Sequence, residues 1–165
     1  MEQSYTEANA KKKTTAGVIA LKILLILIVI LLVFASLFQR LILLVAIAAG
    51  AALIWYWPRF KIVWEYVYCD GQLDFDMIQG GERRKNILRI EIENADVVAP
   101  VDSERLAGYR HLEVRDYSSH NEDANVYGIA TRLPEKGEEK VLILFEPGER
   151  MVEMMYTKCP NIVEK

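Results

Sequence analysis

Residues 23–57 read ILLILIVILLVFASLFQRLILLVAIAAGAALIWYW, an apolar run broken in its middle by the polar pair Gln39 and Arg40. One continuous helix over this run would be about 52 Å long at ~1.5 Å per residue, against a bilayer hydrocarbon core of about 30 Å. Division at Gln39 and Arg40 leaves two arms, residues 23–38 and 41–57. Each rises roughly 24–26 Å, a length that a slightly thinned bilayer or snorkelling flanks accommodate. The run predicts a transmembrane helical hairpin over residues 16–58, with helices over 16–38 and 41–57.

Within the second arm, Ala46 and Gly50 are four residues apart, as are Ala48 and Ala52. Small residues at this spacing let helix backbones approach closely in lipid, where packing rather than hydrophobicity drives association. Such a face is expected to pack on the first arm of the same hairpin; a homo-oligomer contact between two copies of the chain is the alternative. Lys22, at the start of the first arm, lies within a side-chain length of the interface. It is expected to snorkel to water rather than serve as an intramembrane relay.

The formal net charge of −3 hides an asymmetry. Residues 1–61 carry seven basic residues (Lys11, Lys12, Lys13, Lys22, Arg40, Arg59 and Lys61) and two acids, Glu2 and Glu7, for a net of +5. Residues 62–165 carry the remaining thirteen basic and twenty-one acidic residues, for a net of −8. Three lysines precede the first helix, and Arg59 and Lys61 follow the second, while the connecting turn offers only Arg40. Lysine and arginine near membrane ends favour the cytoplasmic side, so a two-pass protein of the cell membrane with both termini cytoplasmic is expected. Lys22, Trp55, Trp57 and Arg59 are the expected interface anchors. A signal peptide is disfavoured, because the first apolar segment is long and a second follows with no cleavage site between them.

The polar residues 1–15 are expected to be disordered. Residues 60–165 suffice for one small domain with its own core. Ile62, Trp64, Tyr66 and Tyr68 alternate with Val63, Glu65, Val67 and Cys69, a period-two strand pattern. Asp70 and Gly71 then supply a hairpin turn that needs positive φ at both central positions. The returning strand puts Leu73, Phe75 and Met77 on one face and Asp74 and Asp76 on the other. Gly80 and Gly81 mark a second turn, with further strands around residues 84–90 and 96–101. Ser103 is placed to cap a short helical turn ending at Gly108. Strands are expected over residues 111–117, with Leu112 and Val114 inward, and over 125–133 and 140–145, the last two joined by a turn over 134–139. Glu146, Pro147, Gly148 and Glu149 open a helix, with proline at the first helical position. Met151, Val152, Met155 and Cys159 recur along one face until Pro160 stops it. The fold class is therefore α+β: a transmembrane helical hairpin followed by a small antiparallel β-barrel or sandwich of about seven strands with a C-terminal helix. That order of elements is pleckstrin-homology-like.

Tyr66, the segment Asp70-Gly71-Gln72-Leu73-Asp74-Phe75-Asp76, then Ala99-Pro100, Asp116-Tyr117-Ser118 and Phe145-Glu146-Pro147 carry a further resemblance. The pattern resembles a family of small clostridial membrane proteins that join two N-terminal transmembrane helices to a β-rich domain similar to bacterial pleckstrin-homology domains. These motifs are turn and strand-edge residues. The resemblance implies a fold and carries over no catalytic residue.

The residues themselves point to no reaction. His111 and His120 lack ligand spacing with Cys, Asp or Glu, and are expected at the surface. Cys69 and Cys159 are expected to be reduced thiols buried as small hydrophobes. The acidic clusters around residues 122–123 and 135–139 read as solvated turns, and Asp74 with Asp76 as the polar face of a strand. No phosphate loop, nucleophile elbow or zinc-protease motif occurs. Neither catalytic, cofactor-binding nor metal-binding residues are expected, and the acidic field disfavours nucleic acid. One basic cluster stands out: Arg83, Arg84, Lys85 and Arg89. The leading expectation is a membrane-anchored, non-enzymatic interaction or regulatory domain that holds a protein partner. The alternative is a lipid-responsive module that binds anionic headgroups through that basic cluster. A membrane enzyme is a distant third.

Overall fold

The computed structural model describes residues 5–81, 83–133 and 139–165. Its apolar run forms α1 (Ala16–Ala35) and α2 (Arg40–Tyr56), joined through residues 36–39. Ser36 ends α1 by donating its hydroxyl to the Val33 carbonyl at 2.6 Å. Arg40 thus begins the second helix, and the turn lies just before it. Both helices are long and apolar enough to cross a bilayer, the second when counted with the 3-10 turn Trp57–Phe60 that follows it. No residue of α1 is buried, and in α2 only Ala46 is. Around Ala46, the residues Ile42, Ala49, Gly50 and Leu53 are half-buried, at helical spacing. The Ala46–Gly50 face therefore packs on α1, whereas Ala48 and Ala52 remain exposed.

The N-terminal segment departs from the expectation of disorder. Tyr5–Lys11 forms β1, paired antiparallel along its whole length with β2 (Ile62–Cys69). Thr6, Ala8 and Ala10 lie opposite Tyr68, Tyr66 and Trp64 on the core side. Thr6 and Ala10 are buried there, because small side chains fit against the large aromatic ones. The segment is polar and carries no strong β pattern, and its partner strand lies beyond both helices; neither fact is visible locally. The helical hairpin is thus an insertion between two neighbouring strands.

β3 (Gln72–Gln79) and β4 (Arg83–Glu91) complete an antiparallel sheet in the order β1-β2-β3-β4. Asp70 (φ 47) and Gly71 (φ 94) turn between β2 and β3 with both angles positive, as the sequence requires. A short 3-10 turn, Ile92–Asn94, leads to β5 (Val97–Pro100). The second sheet has the order β5-β7-β8-β6, built from β6 (Glu113–Asp116), β7 (Tyr127–Arg132) and β8 (Lys140–Phe145). Two corrections follow. Of the expected barrel or sandwich, the described residues form two separate sheets and no closed barrel, and β6 pairs parallel to β8, so the second sheet is mixed. With β1 added, eight strands stand among the described residues where about seven were expected. The expected turn over residues 134–139 falls largely outside the described residues.

Val114 is 49% exposed rather than inward, because its register opposite Leu142 turns it to the face away from the main core. The last helix, α3 (Glu149–Lys158), begins one residue after its cap at Gly148. Pro147 therefore precedes the helix instead of occupying its first position. The aromatic and aliphatic core lies between the sheets and under α3. Tyr66, Phe75 and Phe145 meet edge-on at 5.5–5.7 Å between ring centroids, and Met151, Val152 and Met155 of α3 close over the same cluster. The opposite face of the second sheet is covered by a 3-10 helix, Glu104–Tyr109, whose Leu106 packs on Val97, Ala99, Ala130 and Leu142. Ser103 caps that helix by accepting the Arg105 N–H at 3.1 Å, as the sequence suggests; the helix runs one residue past Gly108.

Candidate functional site

Antiparallel pairing brings to one end of the first sheet the end of β1, the start of β2, the end of β3 and the start of β4. Lys11 lies opposite Val63, Ile62 opposite Gln79, and Gln79 opposite Arg83. This is the end from which both helices leave. The Lys12 N–H donates to the Ile62 carbonyl at 3.1 Å, so the chain departs for α1 and returns from α2 side by side. The Lys13 N–H donates to the Ser119 carbonyl at 2.7 Å, which ties the same junction to the second sheet's loop.

The junction is basic. Lys11, Lys12, Lys13, Lys61, Arg83 and Lys85 gather there, and none of them forms an ion pair among the described residues. The cations of the expected basic cluster do not act alike. Arg84 bridges Asp76 at 2.6 Å and Glu65 at 2.7 Å, and the Asp76 side chain also accepts from Asn86 at 2.8 Å. Asp76 is only 6% exposed, so its charge is compensated by that pairing rather than by water. The hydrogen bond to Asp76 raises the Arg84 pKa further. Arg89 forks onto Asp74, with Nη2 at 2.9 Å from Oδ2. Arg83 and Lys85 lie on the other face of β4, opposite Gln79 and Met77, and are exposed. Asp74 and Asp76 are accordingly arginine partners and not a paired-carboxylate site.

The four expected anchors come together in two pairs. The Lys22 ammonium lies 5.2 Å from the Trp57 ring centroid and 5.1 Å from that of Phe60. The Arg59 guanidinium lies 4.1 Å from the Trp55 ring centroid and 5.2 Å from that of Tyr56. Cations over aromatic faces in this range attract electrostatically, and both partners suit a water–lipid boundary.

Between the end of α2 and the β3–β4 turn lies an open cavity of about 350 Å³. Ile54 and Trp55 form its apolar side, Arg59 and Arg83 its charged side, and Pro58 and Gly80 its base. Gln79 pins the wall by donating its side-chain N–H to the Arg59 carbonyl at 3.1 Å, and the Gly80 N–H donates to the Lys61 carbonyl at 3.0 Å. Gly80 has φ +68, a left-handed conformation that strains any residue with a Cβ. Sequence reasoning missed Gln79, Gly80 and Pro58 as site residues, because only the β2–β3 register brings Gln79 and Gly80 to Pro58 and Arg59.

The opposite end of the first sheet differs in charge. There Lys158 pairs with Asp70 at 2.9 Å beside Glu91 and Glu93. Cys69 is exposed there on the outer strand face, contrary to expectation, while Cys159 is buried. Burial pushes the Cys159 thiol up. His120 sits in a loop with its Nδ1 at 3.2 Å from Asp116, away from any ligand set. Among the described residues no group of three His, Cys, Asp or Glu side chains could hold a metal ion.

A family model described as a bacterial PH-like domain (DUF6106) matches residues 2–165, which bears out the pleckstrin-homology-like expectation at the level of the fold. No curated protein and no solved structure matches the chain.

Proposed function

The chain belongs to the bacterial PH-like domain family, and from that premise we propose that it is a two-pass membrane protein whose PH-like domain is a non-enzymatic interaction module clamped to the cytoplasmic face. The observation that carries this reading is the β1–β2 pairing across the inserted hairpin. Two helices that leave and re-enter one sheet at adjacent strands have both outer ends on one side of any bilayer they cross. Their side chains support immersion in lipid. Large apolar residues stay exposed along both helices, including Leu31, Phe34, Leu44 and Ile47, far more than water tolerates on a single protein surface. The lysines and arginines gathered at the junction favour the cytoplasmic side.

Such a domain neither diffuses from the membrane nor turns over on it, so its acidic far end always points into the cytoplasm, where a partner protein would dock. Two measurements test this. An impermeant maleimide applied to intact cells labels Arg40→Cys and leaves the exposed native Cys69 unlabelled until the membrane is opened. Labelling of Cys69 from outside overturns the orientation. Affinity purification of the full chain from detergent brings down a stoichiometric partner; recovery of the chain alone overturns the interaction role.

A further inference from the structure

We propose that the cavity at the end of α2 is a binding site for one anionic phospholipid, its phosphate held between Arg59 and Arg83 and its acyl chain laid along Ile54 and Trp55. The proposal rests on the membrane reading above and adds a defined ligand to it. Both halves of the cavity suit an amphiphile. The charged half holds two guanidiniums, and no acidic side chain lines the cavity among its described residues. Arg83 enters no ion pair among the described residues, whereas its neighbours Arg84 and Arg89 are taken up by Asp76 and Asp74. Arg59 is held in place by stacking on Trp55, and among the described residues its guanidinium enters no ion pair, so its donors can reach an oxyanion. Guanidinium groups bind phosphate oxygens through two parallel N–H bonds, a geometry that an ammonium does not offer.

The apolar half selects a lipid over a soluble phosphate. Ile54 is 77% exposed and Trp55 68% exposed, and both continue the outward face of α2. Pro58 and Gly80 form the base, with no side chain on Gly80 to fill the space, and the Gln79 bond to Arg59 fixes the distance between helix end and sheet. The site is therefore shaped before any ligand arrives, which lowers the ordering cost of binding.

The test uses the full chain in detergent, titrated with phosphatidylglycerol, phosphatidylcholine or inorganic phosphate and read by native mass spectrometry. Phosphatidylglycerol is expected to bind as a single retained molecule, and more tightly than phosphatidylcholine. Arg83→Gln, which removes no ion pair among the described residues, weakens it roughly five-fold, the factor given by about one charge at an anionic surface. Adding Arg59→Gln weakens it roughly twenty-fold or more on the same basis, while Lys85→Gln, at an exposed cation that does not line the cavity, leaves affinity unchanged. Equal binding of the two lipids overturns the proposal, as does an equal loss in Lys85→Gln, which would mean diffuse charge attraction. Inorganic phosphate that binds as tightly and displaces the lipid also overturns it in favour of a soluble ligand. A chain that passes the topology labelling and shows no preference between lipids sinks this proposal alone.

Discussion

The backbone N–H of Lys12 and the carbonyl of Ile62 are joined by a 3.1 Å hydrogen bond although both apolar helices lie between them in the chain. The bond extends the β1–β2 ladder to the point where the hairpin departs. Formation of the first sheet thus depends on the helical hairpin folding back on itself, because β1 meets β2 only when the two ends of the hairpin lie side by side.

Ala10 lies on the core side of β1 opposite Trp64 and is almost wholly buried. Ala10→Asp puts an unpaired carboxylate there and is expected to cost about 3 kcal/mol or more. Thermal unfolding of the full chain in detergent should show the loss, together with protease sensitivity of the first strand. An unchanged melting point would mean that β1 contributes nothing to the fold.

Arg84→Gln leaves Asp76 buried with Asn86 as its remaining hydrogen-bond partner. The expected cost is about 1–2 kcal/mol, since Asp76 is buried but the Arg84 side chain is 53% exposed and water screens the pair. Arg83→Gln, one residue earlier and free of partners among the described residues, should fall within about 0.5 kcal/mol of the parent. Denaturant titration of the two variants side by side distinguishes the structural arginine from the surface one.

Gly128 leaves room for Leu106, whose Cδ1 would stand 2.7 Å from a Cβ at that position, with Leu142 Cδ1 at 3.2 Å. Gly128→Ala is expected to cost about 1–3 kcal/mol by overpacking, and Leu106→Ala about 2–5 kcal/mol by opening a cavity. The double variant should lose less than the sum, since the new methyl group enters the space that Leu106 vacates. Strict additivity in a double-mutant cycle would argue against this contact.

Tyr66 donates its hydroxyl to the Tyr117 carbonyl at 2.6 Å, and burial pushes the phenol well above its ordinary value of 10.0. The raised value means that the unfolded chain releases this proton at lower pH than the fold does. The contribution is complete below pH 10.0 and declines as pH rises through the interval above it. Tyr68 and Cys159 are shifted in the same sense. Tyr66→Phe should lose about 1–3 kcal/mol at neutral pH by orphaning the carbonyl, and its stability should then fall less steeply in alkali. Denaturation curves at neutral and alkaline pH, with parallel slopes for both proteins, would refute the assignment.

Period and composition alone determined much of this protein. The apolar run set two helices, because a residue's preference for a low-dielectric environment does not depend on its neighbours in the fold. Alternation set β2 and β3, the pair Asp70 and Gly71 set the turn between them, and the recurrence of Met151, Val152 and Met155 set the buried face of α3. These signals are local, with all their partners within a few residues. Tertiary structure alone decided three things. It made residues 5–11 a strand, since their small side chains gain stability only against Trp64, Tyr66 and Tyr68 beyond the hairpin. It divided the basic cluster, because alternation and the β3–β4 register give Arg84 and Arg89 carboxylates and, among the described residues, leave Arg83 and Lys85 without them. It also brought Arg59 to Gln79 and Gly80, forming a cavity from segments that share no pattern. Pairing across a long insertion and the charge balance at a sheet end are properties of distance in space, and chain order does not encode them locally.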